Sequence, residues 1–194
     1  MHNLHPQRTI HTLTRPKHSI GYIVWFTGLS GAGKTTTVRA LRDRIEADRN
    51  VEILDGDELR GTLCSDLGFS KADRDSNVAR TGYVARLLAR HGVAVLVAAI
   101  SPYRDARREV RDAAWSEGIP FIEVFVDASL ETVIARDPKG LYKRALAGDV
   151  AEFTGITAPY EPPEAADVRL RTDSQTVGAS VRELLNVLRR HRLE

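Results

Sequence analysis

The chain has 194 residues, 42% of them apolar and 28% charged, which is enough for one domain around a full hydrophobic core. A formal net charge of +2 excludes the strong electrostatic pull used by nucleic-acid and membrane-surface binders, and the single cysteine, Cys64, excludes a disulfide framework or a multi-cysteine zinc site. That cysteine usage suits a reducing cytoplasm, and no apolar run is long enough to span a bilayer.

Residues 1–18 are polar, hold His2, His5, His11 and His18 at spacings with no ligand geometry, and lack a signal-peptide core. They read as a disordered tail ahead of a single domain over 19–194. Strands are expected at Gly21–Thr27, Val51–Leu54, Val93–Ile100, Phe121–Val126 and Val168–Arg171. Helices are expected at Lys34–Ala47, Asp73–Arg90, Arg104–Glu117, Leu130–Arg136 and Val177–Arg192. Several strands are continuous apolar runs, as a parallel sheet buried on both faces needs. The alternation predicts a doubly wound α/β fold with a mainly parallel sheet flanked by helices. Asp137–Pro163 is rich in Gly, Pro and charge, and reads as a mobile lid or a long loop, with a short helix at Tyr142–Ala147.

Ligands of such sheets gather at the carboxyl ends of the strands, so the strand exits carry the functional reading. The first exit is Gly28-Leu29-Ser30-Gly31-Ala32-Gly33-Lys34-Thr35, a complete G-x-x-x-x-G-K-[ST] loop between a strand and a helix. Its glycines let backbone N–H groups approach phosphate. Lys34 is expected to reach the β- and γ-phosphates, and the Thr35 hydroxyl to ligate Mg²⁺. The second exit is Asp55-Gly56-Asp57. Asp57 has two readings that can hold together: a carboxylate that binds Mg²⁺ or accepts a hydroxyl proton, or the N-cap of a following helix. The third exit is Ser101-Pro102-Tyr103-Arg104, and Asp127 follows the fourth.

Arg60 lies one turn beyond Asp57, either holding an anionic acceptor or standing on the surface. Arg74 and Asn77 are three apart and share a helix face, where they can meet sugar or phosphate. Phe69 can stack on a planar base, although taken alone such a residue is more often core. Phe153, in a polar, glycine-flanked loop, is odd as a core residue and suits stacking. Lys139 beside Gly140 can bring charge to an anion as a lid closes, or is simply a solvated lysine.

The chain resembles the adenylyl-sulfate kinase (APS kinase) family. The resemblance rests on the phosphate loop, Asp55-Gly56-Asp57, Leu67-Gly68-Phe69-Ser70, Asp73-Arg74 with Asn77, Ile100-Ser101-Pro102-Tyr103-Arg104, Lys139-Gly140-Leu141-Tyr142 and Phe153-Thr154-Gly155-Ile156, and covers about residues 18–190. It implies transfer of the γ-phosphoryl group of MgATP to the 3′-hydroxyl of adenylyl sulfate, giving 3′-phosphoadenylyl sulfate and ADP. It implies an acceptor adenine held between Phe69 and Phe153. Asp55, Asp57, Arg60, Arg74, Asn77, Ile100, Ser101, Lys139 and Leu141 would sit on the acceptor side. Residues 28–35, with Thr36, Arg136 and Thr172, would sit on the ATP side. Lys34, Asp57, Ser101 and Lys139 are the implied catalytic set, with Thr35 and Asp57 at the metal. Ser101 is a substrate contact in this reading, with a phosphoenzyme role as the minor alternative, since in-line transfer needs no covalent intermediate. The family is often dimeric, and no patch in the sequence decides that. The chain departs from many members at Glu58 and Ala79, the latter a lost anion contact in this reading. A kinase for another small hydroxyl acceptor, or a nucleotide-binding regulatory protein, are the alternatives.

Overall fold

A computed structural model describes residues 20–193; the tail with its four histidines lies outside the described residues. Five strands form one all-parallel sheet in the order β2-β3-β1-β4-β5. They are β1 (Tyr22–Thr27), β2 (Val51–Asp55), β3 (Ala94–Ala98), β4 (Phe121–Asp127) and β5 (Val168–Arg171). β1 and β3 are buried along their whole length, which is why they read as unbroken apolar runs. The edge strand β5 instead alternates buried and exposed residues.

Successive side chains of β1 feed two cores. Tyr22, Val24 and Phe26 join Val38, Leu41, Leu184 and Leu188 on one face, under α1 (Lys34–Ile45) and α7 (Val177–Arg190). Ile23 and Trp25 join Val78, Ala85, Val110 and Ala114 on the other, under α3 (Lys71–Arg90) and α4 (Arg104–Ser116). The remaining helices, α2 (Gly56–Gly61), α5 (Leu130–Arg136) and α6 (Leu141–Leu146), are short and stand at the strand exits or in the stretch read as a lid.

Two helix starts differ from the sequence reading. α2 is an added helix, capped by Asp55, whose carboxylate accepts from the Asp57 N–H at 2.9 Å. The cap is therefore Asp55, not Asp57, and Asp57 lies in the first turn. α3 begins at Lys71 rather than Asp73, because Ser70 Oγ accepts from the Asp73 N–H and donates to Asp73 Oδ2 at 2.7 Å.

The register brings the exits level. Asp55 pairs with Ala98 across β2 and β3, and Ala98 with Phe26 across β3 and β1. The phosphate loop, the Asp55–Asp57 turn and the Ile100–Ser101 turn therefore stand side by side on one sheet edge.

Candidate functional site

The phosphate loop is built from backbone that only glycine tolerates. Gly28 has φ +151°, and a Cβ there would lie 2.4 Å from the Val126 carbonyl; Gly33, with φ +101°, caps α1. Lys34 Nζ donates to the carbonyls of Gly28 and Leu29, both at 2.8 Å, so the side chain folds back over its own loop. Burial pushes the Lys34 ammonium down to about 8, against the pull of Asp57 and Asp55. Ala32 is buried in the core, and Thr36 is exposed on α1. The Ser30 carbonyl accepts from the Tyr142 hydroxyl at 2.9 Å, tying the loop to α6.

Two carboxylates stand over this loop. Thr35 Oγ1 donates to Asp55 Oδ2 at 2.8 Å, so Asp55 is the carboxylate adjoining the Thr35 hydroxyl. Asp57 Oδ2 instead accepts from Lys139 Nζ, which arrives from 82 residues away. Both are exposed side chains at the mouth of the site. On the back of the loop, Arg136 donates to the carbonyls of Gly31 and Thr172, and Thr172 Oγ1 donates to the Ala32 carbonyl at 2.7 Å. The residues matched to the ATP base thus sit together against residues 31–32.

The residues that the sequence reading places on the acceptor side form a second group, assembled differently. Phe69 is 55% exposed, with the Arg60 guanidinium 4.4 Å and that of Arg74 5.6 Å from its ring centre. Arg60 also donates to the Gly68 carbonyl at 2.9 Å. Arg74 is buried, and all three guanidinium nitrogens have protein partners. Nε donates to the Phe69 carbonyl at 2.7 Å, Nη1 to Thr154 Oγ1 at 2.6 Å and Nη2 to the Glu152 carbonyl. Arg74 therefore ties Phe69 to the residues on either side of Phe153, where the sequence reading had it hold an anion. Burial lowers its pKa. Phe153 is also less free than its loop suggests: it meets Tyr142 edge-on at 4.9 Å and packs against the core. Asn77 is buried on the same helix, and its Nδ2 has no partner in the protein. Leu141 opens α6 half-buried, directly after Lys139 and Gly140 in the chain.

At the third exit, Thr27 Oγ1 donates to the Ile100 carbonyl at 2.7 Å. Ser101 is buried with φ +40°, a left-handed conformation that costs about 1–3 kcal/mol in a non-glycine residue. Its Oγ accepts from Trp25 Nε1 at 3.0 Å. Asp127, at the fourth exit, pairs with Arg169. Ala79 lines a groove with Asp75, Arg86, Ala106 and Glu109 between α3 and α4, while its neighbour Arg80 pairs with Asp66.

Some site neighbours escaped the sequence reading. Tyr160 shares a 3.0 Å hydrogen bond with Thr27 Oγ1, and burial pushes its hydroxyl up to about 12. It lines a cleft of about 470 Å³ together with Leu29, Leu130 and Gly155. Asp137 caps α6 by accepting from the N–H groups of Tyr142 and Lys143, both at 3.0 Å. The spacing of Asp137 to the next helix carried that signal; nothing local marked Tyr160.

A phosphate loop, two carboxylates and a lysine from a distant segment make an arrangement fit for phosphoryl transfer. The family described as adenylylsulphate kinase matches residues 20–171. The chain is 55% identical over 175 residues to the adenylyl-sulfate kinase of Myxococcus xanthus, covering 90% of this chain and 95% of that one. It is 54% identical over 178 residues to that of Chloroflexus aurantiacus, covering 91% and 94%. Among solved structures, the Mycobacterium tuberculosis APS kinase in complex with AMPPNP and APS superposes with a TM-score of 0.84 at 44% identity, covering 87% of this chain and 98% of that one. From its sequence, its sheet and its strand exits alike, the chain belongs to the adenylyl-sulfate kinase family.

Proposed function

We propose that this chain performs its family's reaction, moving the γ-phosphoryl group of ATP to the 3′-hydroxyl of adenylyl sulfate, with the work divided between the two groups of residues above. The observation that carries the division is the Asp57–Lys139 pair, which joins the phosphate-loop group to the segment bearing Phe153. The loop N–H groups and Lys34 hold the donor phosphates. Lys34 turns from the Gly28 and Leu29 carbonyls to the phosphates when they arrive. Asp57 accepts the proton of the attacking hydroxyl, and Lys139 holds that carboxylate in place. Phe69 and Phe153 take the acceptor base, while Asn77, with its unpartnered Nδ2, offers a donor to the sugar or phosphosulfate. Residues 137–163 act as the lid that excludes water.

The donor set fits Mg²⁺. Thr35 and Asp55 are hard oxygen donors 2.8 Å apart, and the described residues contain no group of three or more His, Cys, Asp or Glu that would cage a metal alone. That suits an ion held mainly by phosphates and water, with Thr35 and Asp55 beside it and Asp57 next in line. When bound, Mg²⁺ screens the charge of the β- and γ-phosphates.

No helix among the described residues is long and apolar enough to cross a membrane, and we place the reaction in the cytoplasm. The test is ADP release from MgATP with and without adenylyl sulfate, with the product identified by mass. Stimulated release with a 3′-phosphorylated product is the expected outcome. ATP binding without stimulation would turn the reading toward another hydroxyl acceptor or a nucleotide sensor.

A further inference from the structure

Arg107 lies on α4, outside every motif tied to the phosphate chemistry, and is only 3% exposed. Its guanidinium bonds to three separate segments. Nε donates to Glu123 Oε1 on β4 at 2.7 Å, Nη1 to the Ser101 carbonyl at 2.6 Å, and Nη2 to the Glu161 carbonyl at 2.8 Å. The carboxylate that neutralises it is itself fixed: Glu123 Oε2 accepts from Arg111 at 2.6 Å, and the Glu123 N–H donates to Asp167 at 2.7 Å. One end of the fork is thus anchored in the sheet, and the other grips two stretches of irregular backbone.

Those stretches also grip each other. The Glu161 N–H donates to the Pro102 carbonyl, and the Arg104 N–H to Glu161 Oε2, both at 2.9 Å. Left-handed Ser101 persists only where its surroundings over-determine it, and Arg107 supplies one of those constraints from a buried, charge-paired position. Among the described contacts, Arg107 touches nothing in the phosphate loop.

We infer that Arg107 is a positioning residue for the acceptor: it sets the Ile100–Ser101 turn and the trailing end of the 137–163 segment as one unit against β4, while leaving the ATP side untouched. The inference rests on the proposed acceptor reading. The physical reason is the fork. A planar guanidinium reaches three acceptors at once, whereas a lysine ammonium is a point charge that keeps the Glu123 pair and loses the simultaneous reach.

The test uses the full chain with Arg107→Lys, and Arg111→Lys as the matched control on the same Glu123 carboxylate. Thermal melting comes first, then kcat and KM for both substrates. Arg107→Lys should raise the KM for adenylyl sulfate about 10- to 100-fold, as a misplaced contact does, and leave the KM for ATP within about 2-fold. Arg111→Lys should stay near wild type for both. A wild-type acceptor KM in Arg107→Lys overturns the inference. So does a proportional rise for both substrates, or an equal effect from Arg111→Lys. Should Arg107→Lys fail to fold, the pair Arg107→Met with Glu123→Gln removes both charges together, and the same selective loss is required of it. If wild type shows no turnover stimulated by adenylyl sulfate, the functional reading fails and this inference with it; if wild type turns over and Arg107→Lys is indifferent, only the inference fails.

Discussion

The phosphate-facing side chains of the donor end find their partners nearby in sequence, whereas the back of the phosphate loop and the tie between Phe69 and the Phe153 segment are stitched over long distances. Lys34 bonds to carbonyls five and six residues back, and Thr35 to a carboxylate 20 residues on. Arg74 reaches Thr154 and Glu152, 80 and 78 residues away, and Lys139 reaches Asp57 across 82. A lysine bonded within its own loop keeps its placement while distant contacts change, although Arg136, Tyr142 and Thr172 brace the same loop from afar. A cleft closed by distant partners exists only while those partners are docked. The two ends should therefore respond to substitution independently, except at the Asp57–Lys139 pair and at Tyr142, which bonds to Ser30 and packs on Phe153.

Asp57→Ala attacks that meeting point and should have the largest effect. Loss of a general base lowers kcat by about 10²- to 10⁴-fold. ATP binding, measured by titration, should hold within a few-fold, because the hydrogen bonds that shape the loop do not involve Asp57. Unchanged turnover removes Asp57 from the chemistry.

Arg74→Met tests the long stitch. It leaves the Phe69 and Glu152 carbonyls and the Thr154 hydroxyl without their donor, each a loss of about 1–3 kcal/mol where buried. The melting temperature should fall, and the KM for adenylyl sulfate should rise about 100-fold, with the KM for ATP little changed. A rise in both KM values would mean that the two ends are one unit.

Phe69→Ala is gentler. The ring is more than half exposed, so stability should move by less than about 0.5 kcal/mol. Stacking on a base is worth about 1–3 kcal/mol, so the acceptor KM should rise about 10-fold. An unaltered KM in steady-state assays breaks the idea of a base held against this ring.

The smallest effect is a pH dependence confined to the donor end. Lys34 titrates near 8 in the folded chain, below the free value of 10.5. Its ammonium is charged below that pH and neutral above it. ATP affinity should thus fall as pH rises through 8, by at most about tenfold per unit, and binding near pH 8 should take up a proton. Calorimetry in two buffers of different ionisation heat reads that uptake directly. For stability the sign is opposite: the unfolded chain binds more protons between about 8 and 10.5, so this group favours the folded chain increasingly as pH climbs through that window. A flat ATP affinity between pH 7 and 9 contradicts the placement of Lys34 at the phosphates.

Local signals determined what could be read without coordinates. The runs at Tyr22–Thr27 and Ala94–Ala98 are apolar because both faces of a central strand are buried. The phosphate loop is legible because its glycines, lysine and threonine act within eight residues. α2 left no such trace: it is six residues long and buries none of them, so it has no periodicity to detect. Asp55 and Asp57 look alike in sequence, and only the turn of α2 sends one to Thr35 and the other to Lys139. Only the fold revealed that Arg74 is an internal tie, that Phe153 leans on Tyr142, and that Arg107 joins three segments. A charged residue's partner is chosen by the packing of elements far apart in the chain. Hydrophobic period and turn chemistry are written within a few residues, whereas the destination of a guanidinium is not.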